Sequence, residues 1–175
     1  MIIFVNHIIC IIMTDLLNYR GIVYKIIGAA MAVHSELNWG LLEPVYQEAM
    51  HLELLDRGID NQREKEIEIH YKNHLLKKRY QMDIVVDDII VELKSVTKLS
   101  PAHRAQLCNY LRLTHKPLGL LINFGEKHLV GERWAYDEDT NDCFIVDRNM
   151  DPLSDADYSF LLDSDEEDKV DSIPQ

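Results

Sequence analysis

The stretch "YQMDIVVDDIIVELKSV", residues 80–96, decides the fold of this chain. Two runs of mostly β-branched and aliphatic residues flank an Asp-Asp turn, and this pattern predicts a β-hairpin. The pairing places Asp83 opposite Glu92, and Lys94 lies two residues beyond Glu92 on the same face. A charged group on a half-buried strand face costs free energy unless it is paired or binds a metal ion. We therefore expect these three charges to be paired with one another or to bind a metal ion.

The three charges have two interpretations. The carboxylates of Asp83 and Glu92 repel each other, and a shared proton or a divalent cation relieves that repulsion. Ligands that offer only oxygen select a hard metal such as Mg²⁺ or Mn²⁺, and Lys94 would then orient a water molecule or stabilise developing charge. The alternative is a salt bridge between Glu92 and Lys94 on a solvated face of the sheet.

Helices and further strands flank the hairpin. Residues 19–37 carry apolar side chains at helical spacing, and a second helix, "LLEPVYQEAMHLELLDRG", ends at Gly58. "KEIEIHYK" alternates with a period of two and predicts a strand. "SPAHRAQLCNYLRLT" predicts a helix with Ser100 as its N-cap, and "LGLLINF" predicts a buried strand. The predicted order of elements is α-α-β-β-β-α-β.

The charge distribution divides the chain. The formal net charge is -12, but residues 1–130 carry 15 Lys+Arg and 15 Asp+Glu, whereas residues 131–175 carry 3 and 15. The main domain is thus neutral and can still present a basic face to nucleic acid. We predict a main domain over residues 19–130, a hairpin packed on it over residues 131–150, and an acidic, disordered tail over residues 151–175.

Residues 1–18 are predicted to be an N-terminal extension. The run "MIIFVNHIICIIM" has 13 residues and is interrupted by Asn6 and His7, whereas a membrane span needs about 20 apolar residues. It lacks a basic start and a cleavage site, so Met13 as the working start is one interpretation and a signal or anchor is the other. Three distant cysteines without a CxxC pair fit a reducing cytoplasm.

Both predicted helices beside the hairpin offer polar groups at helical spacing. Glu43 and Tyr46 follow Gly40 at intervals of three, and Gln106 and Tyr110 are four apart. Each of these residues also has a structural interpretation. Glu43 would favour the first turn of a helix through the helix dipole, Tyr46 would pack in the core, and the other pair would only support the fold.

A basic cluster lies before the hairpin. Lys77, Lys78 and Arg79 stand together in "YKNHLLKKRY", and such clusters favour backbone phosphates in a salt-sensitive way. The alternative is a solvated hairpin edge protected by lysines. The acidic tail either covers this basic surface as a mimic of nucleic acid or only solvates the chain.

Together these motifs resemble the GxxExxY proteins, a branch of the PD-(D/E)XK nuclease superfamily. The name-giving motif is "GLLEPVY", residues 40–46, and "IIGAAMAVHSEL", the Asp…Glu-x-Lys strand pair and "LSPAHRAQLCNYLRLTHKPLGLLINF" follow the family pattern in order over about residues 20–130. The resemblance implies an α/β fold with a PD-(D/E)XK (restriction-endonuclease-like) core. Its order is α-β-β-β-α-β, with a mixed central sheet flanked by helices.

The same resemblance implies a metal-dependent nuclease that hydrolyses phosphodiester bonds in DNA with Mg²⁺ or Mn²⁺. By that analogy Asp83, Glu92 and Glu43 would ligate the metal ion. Lys94 would position the attacking water. The remaining candidates are the site-supporting pair Gln106 and Tyr110 and the substrate-binding residues Tyr46, Lys77, Lys78 and Arg79.

The implied partner is nucleic acid, most simply DNA, in the cytoplasm and away from membranes. Members of the superfamily act as homodimers or beside a helicase, so either kind of partner is an expectation here. One alternative function is a catalytically silent nucleic-acid-binding or assembly module of the same fold. Another is an interaction protein that works through the acidic tail.

Overall fold

The computed structural model describes residues 16–154. The predictions for residues 1–15, including Met13 as a start, and for the acidic tail from residue 155 onward lie outside the described residues. Leu16 is packed in the core and is only 2% exposed, so the packed domain begins before the predicted boundary at Tyr19. No helix within the described range is both long and apolar enough to cross a membrane.

The elements form a mixed α/β fold, which confirms the predicted fold class. Helices α1 and α2 come first, a six-stranded sheet follows, and α3 interrupts its strands. The elements are α1 Arg20–Leu37, α2 Glu43–Asp56, β1 Gln62–Ile67, β2 His70–Tyr71, β3 His74–Leu75, β4 Tyr80–Val86, β5 Ile89–Lys94, α3 Pro101–Thr114, β6 Leu118–Asn123, β7 Val130–Asp137 and β8 Asp142–Val146.

The main sheet has the order β1-β4-β5-β6-β7-β8. Only the β5–β6 pair is parallel, because α3 forms the crossover between them, and the other neighbours are antiparallel. All side chains of β5 and β6 are buried, as expected for central strands that have helices on both faces.

Each face of the sheet has its own apolar core. The α1 and α2 side chains, such as Ile26 and Met50, pack on one face with Val91 and Leu93. On the other face, α3 contributes Leu107, which packs in a second cluster with Ile90 and Leu121 of the sheet. Successive residues of β5 therefore serve different cores, as the period of two requires.

Two predictions about strands need correction. The predicted strand "KEIEIHYK" is split: β1 ends at Ile67, which pairs with Tyr80, the first residue of β4. Beyond that point the chain has no partner in the main sheet, so it folds back on itself as the short β2–β3 hairpin. The predicted hairpin of residues 131–150 consists of β7 and β8, but it continues the sheet edge to edge beside β6.

A buried ion pair ties α3 to the sheet. The helix begins at Pro101, and the Ser100 backbone N–H donates to His103 Nδ1 (3.1 Å). One turn later, Arg104 Nε donates to both oxygens of Glu132 on β7 (3.1 Å each), and its Nη2 donates to Oε1 (2.9 Å). Trp134 Nε1 donates to the same carboxylate (2.9 Å). The orientation of α3 thus depends on a satisfied, buried charge pair.

We predict that Arg104→Met lowers the free energy of unfolding by about 3–5 kcal/mol, because it leaves Glu132 buried without its cation. Urea unfolding measures this loss. The matched control is Arg57→Met, which removes a surface ion pair with Glu53 and should cost less than about 1 kcal/mol. Equal losses in the two variants would contradict the role given to the buried pair.

Candidate active site

The candidate site lies where β4 and β5 separate. Their ladder runs from Val86–Ile89 to Ile84–Val91 in the predicted register and stops there. At the next position Asp83 does not continue the ladder as a backbone pair with Glu92. Instead Asp83 Oδ2 accepts a hydrogen bond from the Leu93 backbone N–H at 2.8 Å. A carboxylate thus replaces a backbone carbonyl and holds the strands at the fork.

The side-chain alternation of β4 is interrupted at the same position. Met82 packs in the α3-side core, whereas Ile84, two residues on, packs in the α1-side core. Regular alternation would put both on one face. On the neighbouring strand β1, Glu64 occupies the left-handed region with φ 54°, at the position that would pair with Asp83. With this irregularity, the Asp83 carboxylate contacts Leu93 of β5 and Gln47 of α2.

Four charged side chains meet at this fork. Glu92 is 1% exposed and Lys94 is 7% exposed, which excludes the interpretation as a salt bridge on a solvated face. Lys94 Nζ donates to Glu92 Oε1 at 2.7 Å and lies 3.7 Å from Glu43 Oε1 at the start of α2. The structure therefore brings the predicted Asp83, Glu92, Lys94 and Glu43 together.

The electrostatics of the fork resist two negative charges. Burial raises the pKa of Asp83 to about 6, against the opposing effects of the Leu93 N–H and of Lys94. Burial also raises the pKa of Glu92 to about 7, and the charge of Asp83 adds to this. For Lys94, burial lowers the pKa, but Glu92 outweighs it and the net shift is upward. The lysine stays charged between acids that titrate near neutrality.

The donor set fits a hard divalent cation. Glu92 Oε2 is buried and has no hydrogen-bond partner among residues 16–154. Among residues 16–154, no three His, Cys, Asp or Glu side chains are close enough to enclose an ion. Mg²⁺ commonly binds through one or two carboxylates and keeps several waters. Asp83 and Glu92 match that requirement, and Glu43 lies near them, 3.7 Å from Lys94 Nζ.

Helix α3 forms the wall beside the acids. Gln106 Nε2 donates to the Tyr110 hydroxyl at 2.9 Å. Burial raises the pKa of Tyr110, and the charges of Glu92 and Asp83 raise it further, so the hydroxyl stays protonated within their field. The predicted Gln106–Tyr110 pair therefore lies beside the site.

Tyr46 does not reach the surface. Its side chain is fully buried and stacks on Phe124, with ring centroids 4.6 Å apart. The hydroxyl donates to the Asn38 carbonyl (2.8 Å) and accepts the Leu41 N–H (3.2 Å). The structure thus does not support the predicted substrate contact. Tyr46 shapes the loop that leads to Glu43.

The predicted basic cluster lies on the sheet edge where the fork opens. Lys77 and Lys78 are exposed and lie just before β4. Because β4 and β5 are antiparallel, the start of β4 and the end of β5 lie at the same end of the sheet. Arg79 lies within 3.9 Å of Glu66 and 3.7 Å of Glu68. The charges of Lys77 and Lys78 are therefore more available to a ligand than that of Arg79.

Two residues at the site were not predicted. Gln47 Nε2 donates to Asp83 Oδ1 at 2.8 Å, and its position four residues after Glu43 was the sequence signal. Asn123 ends β6 beside Lys94, and its amide bonds the Val96 N–H (3.0 Å) and carbonyl (2.8 Å). A buried asparagine that closes the apolar run "LGLLIN" was the signal for this clamp on the chain after β5.

Comparison with known proteins gives a clear family result. A family model described as the PD-(D/E)XK nuclease superfamily matches residues 20–134. Among solved structures, the chain is similar to the crystal structure of SSO0001, with 17% sequence identity and a TM-score of 0.43 over 67% of this chain. The chain spans about half of that protein, 54% of its length.

No curated protein matches the sequence. The family match alone covers well over half of the chain and includes α1, α2, the fork and α3. This chain belongs to the PD-(D/E)XK nuclease superfamily.

Proposed function

We propose that this protein is a Mg²⁺- or Mn²⁺-dependent nuclease that hydrolyses phosphodiester bonds in DNA, and that it belongs to the GxxExxY branch of its superfamily. The observation that carries the proposal is the buried pair Asp83 and Glu92, with Lys94 Nζ 2.7 Å from Glu92. Two repelling acids at a fork of the sheet cost folding free energy. A bound cation would offset the repulsion between the two acids and would lie where a phosphodiester substrate can bind.

In this proposal Asp83 and Glu92 would hold the metal ion, and Glu43 would contribute to its binding. When bound, the ion supplies an acidified water and offsets negative charge on the scissile phosphate. Lys94, charged and fixed by Glu92, donates a hydrogen bond that orients the attacking water. Gln47 and the Leu93 N–H fix the Asp83 carboxylate, so its oxygens need little reorganisation on binding.

The substrate contacts follow from the surface around the fork. Lys77 and Lys78 are placed to bind backbone phosphates on the approach to the site. The free thiols Cys108 and Cys143 fit a reducing compartment such as the cytoplasm. A homodimer or a helicase-type partner stays a prediction.

A catalytically silent module is the second candidate. It is favoured by the same acids, because carboxyl groups with pKa values near 6 and 7 can take up a proton instead of a metal ion. The two candidates differ in one property: only the nuclease needs metal and Lys94 for turnover.

We predict metal-dependent cleavage in a panel of plasmid, linear duplex and single-stranded DNA plus RNA. Glu92→Gln and Lys94→Met should each lower the cleavage rate by about 100-fold or more, because they remove a metal ligand and a donor to the attacking water. Lys25→Met, an exposed lysine of α1, is the control and should cleave like the original protein.

All variants are purified in the same way, so a contaminating nuclease would appear as equal residual cleavage in Glu92→Gln and Lys94→Met. Cleavage that survives in Glu92→Gln and Lys94→Met would contradict the assigned site. Folded protein with saturating Mg²⁺ or Mn²⁺ and no cleavage of any substrate would favour the silent module.

A second prediction concerns pH and metal. Because the folded pKa values of Asp83 and Glu92 are raised, the metal-free protein should lose stability as pH rises from about 4 through about 7, and the full penalty remains above that range. The rise in pKa from 3.8 to about 6 for Asp83 and from 4.5 to about 7 for Glu92 corresponds to a loss of about 3 kcal/mol for each group. Urea unfolding in EDTA measures the free energy of unfolding of the original protein and of Asp83→Asn. The difference between the two values should grow with pH.

Mg²⁺ should remove this penalty. The rise in melting temperature on adding Mg²⁺ should be larger at pH 8 than at pH 5, because protons compete for the same oxygens at low pH. Asp83→Asn should lose this response, and Asp56→Asn, an exposed acid of α2, should keep it. An equal response in both variants would show that Mg²⁺ binds elsewhere.

A further inference from the structure

A cavity lined by three arginines opens at the N-terminal end of α1. Its volume is about 580 Å³, and Arg20 and Tyr24 of α1, Arg133 of β7, and Arg148 and Asn149 after β8 line it. No Asp or Glu is among its described lining residues. Three guanidinium groups around one cavity without a carboxylate in its lining repel one another, and an anion would relieve that repulsion.

This cavity is separate from the candidate active site. The C-terminal end of α1 leads through Asn38, whose carbonyl accepts the Tyr46 hydroxyl, to Glu43 at the fork. The N-terminal end of α1, with Arg20, borders the cavity. An 18-residue helix is about 27 Å long, so the two sites lie at opposite ends of the domain.

Arg133 is the most constrained arginine of the cavity. Its Nε is buried and has no hydrogen-bond partner within the described part of the chain. Burial lowers the pKa of Arg133, although the charge of Asp147 opposes this. A buried donor without an acceptor costs folding free energy. The guanidinium group of Arg133 lines the cavity, where an anion would offset its charge.

The loop that carries Arg148 and Asn149 is held in place before any ligand arrives. Asp147 Oδ1 accepts the N–H groups of Asn149 (2.7 Å) and Asp151 (3.0 Å). Between them, Met150 is buried in the core. The oxygens of Asp147 are thus engaged within their own loop, which presents Arg148 at low entropic cost.

We propose that this cavity binds a phosphate group, carried by a nucleotide or present as inorganic phosphate. Guanidinium groups match phosphate oxygens through paired N–H donors. The volume suits a small ligand. Tyr24 is 81% exposed at the rim, and its ring offers a stacking surface to a base. The proposal does not depend on the nuclease function.

Calorimetry on the full chain tests the site, with inorganic phosphate, AMP and adenosine as probes. EDTA is present, so that no metal ion at the fork binds phosphate. Phosphate and AMP should bind, and adenosine should not. Arg133→Gln and the exposed-site variant Arg148→Gln should each weaken binding at least tenfold. Lys25→Gln, on α1 but outside the cavity, should leave binding unchanged.

The probes also separate the two sources of phosphate. Tighter binding of AMP than of phosphate, with the advantage lost in Tyr24→Ala, identifies a nucleotide site, and equal binding identifies a phosphate site. The proposal is overturned if neither probe binds or if adenosine binds as well as AMP. It is also overturned if Arg148→Gln and Lys25→Gln weaken binding equally.

Discussion

The burial of two carboxylates at one fork of the sheet is the constraint on which the site depends. Asp83 and Glu92 repel each other, and burial raises the pKa of both. Lys94 compensates one oxygen of Glu92 and leaves the other without a partner. A protein under selection only for stability would replace such a pair with apolar residues at little cost or with a gain.

The rest of the fold supports that arrangement. The α1-side core seats Tyr46, which fixes the loop before Glu43. On the other face, the Arg104–Glu132 pair sets the position of α3, and with it that of Tyr110. The central strands are buried on both faces. The fork therefore opens at the end of the sheet where β4 begins and β5 ends.

The convergence of Asp83, Glu92 and Lys94 could be predicted from the sequence because the hairpin register brings Asp83 near Glu92 and the strand period puts Glu92 and Lys94 on one face. The opening of the ladder at Asp83 could not, since it depends on a side chain bonding the Leu93 N–H across the strands. The burial of Tyr46 could not be predicted either. An aromatic residue one turn after Glu43 can lie in a core or on a surface, and its burial here depends on stacking against Phe124. The arginine cavity joins residues more than 100 positions apart, and no spacing pattern reveals it.

Glu92, with its one unpaired oxygen, is the most direct place to test this account. Anomalous diffraction from crystals soaked in Mn²⁺ locates the ion without any assay of activity. The account predicts a Mn²⁺ peak bound by oxygens of both Asp83 and Glu92, which disappears in Glu92→Gln. A fully soaked crystal with no peak at the fork, and with Glu92 bonded to Lys94 alone, would contradict it.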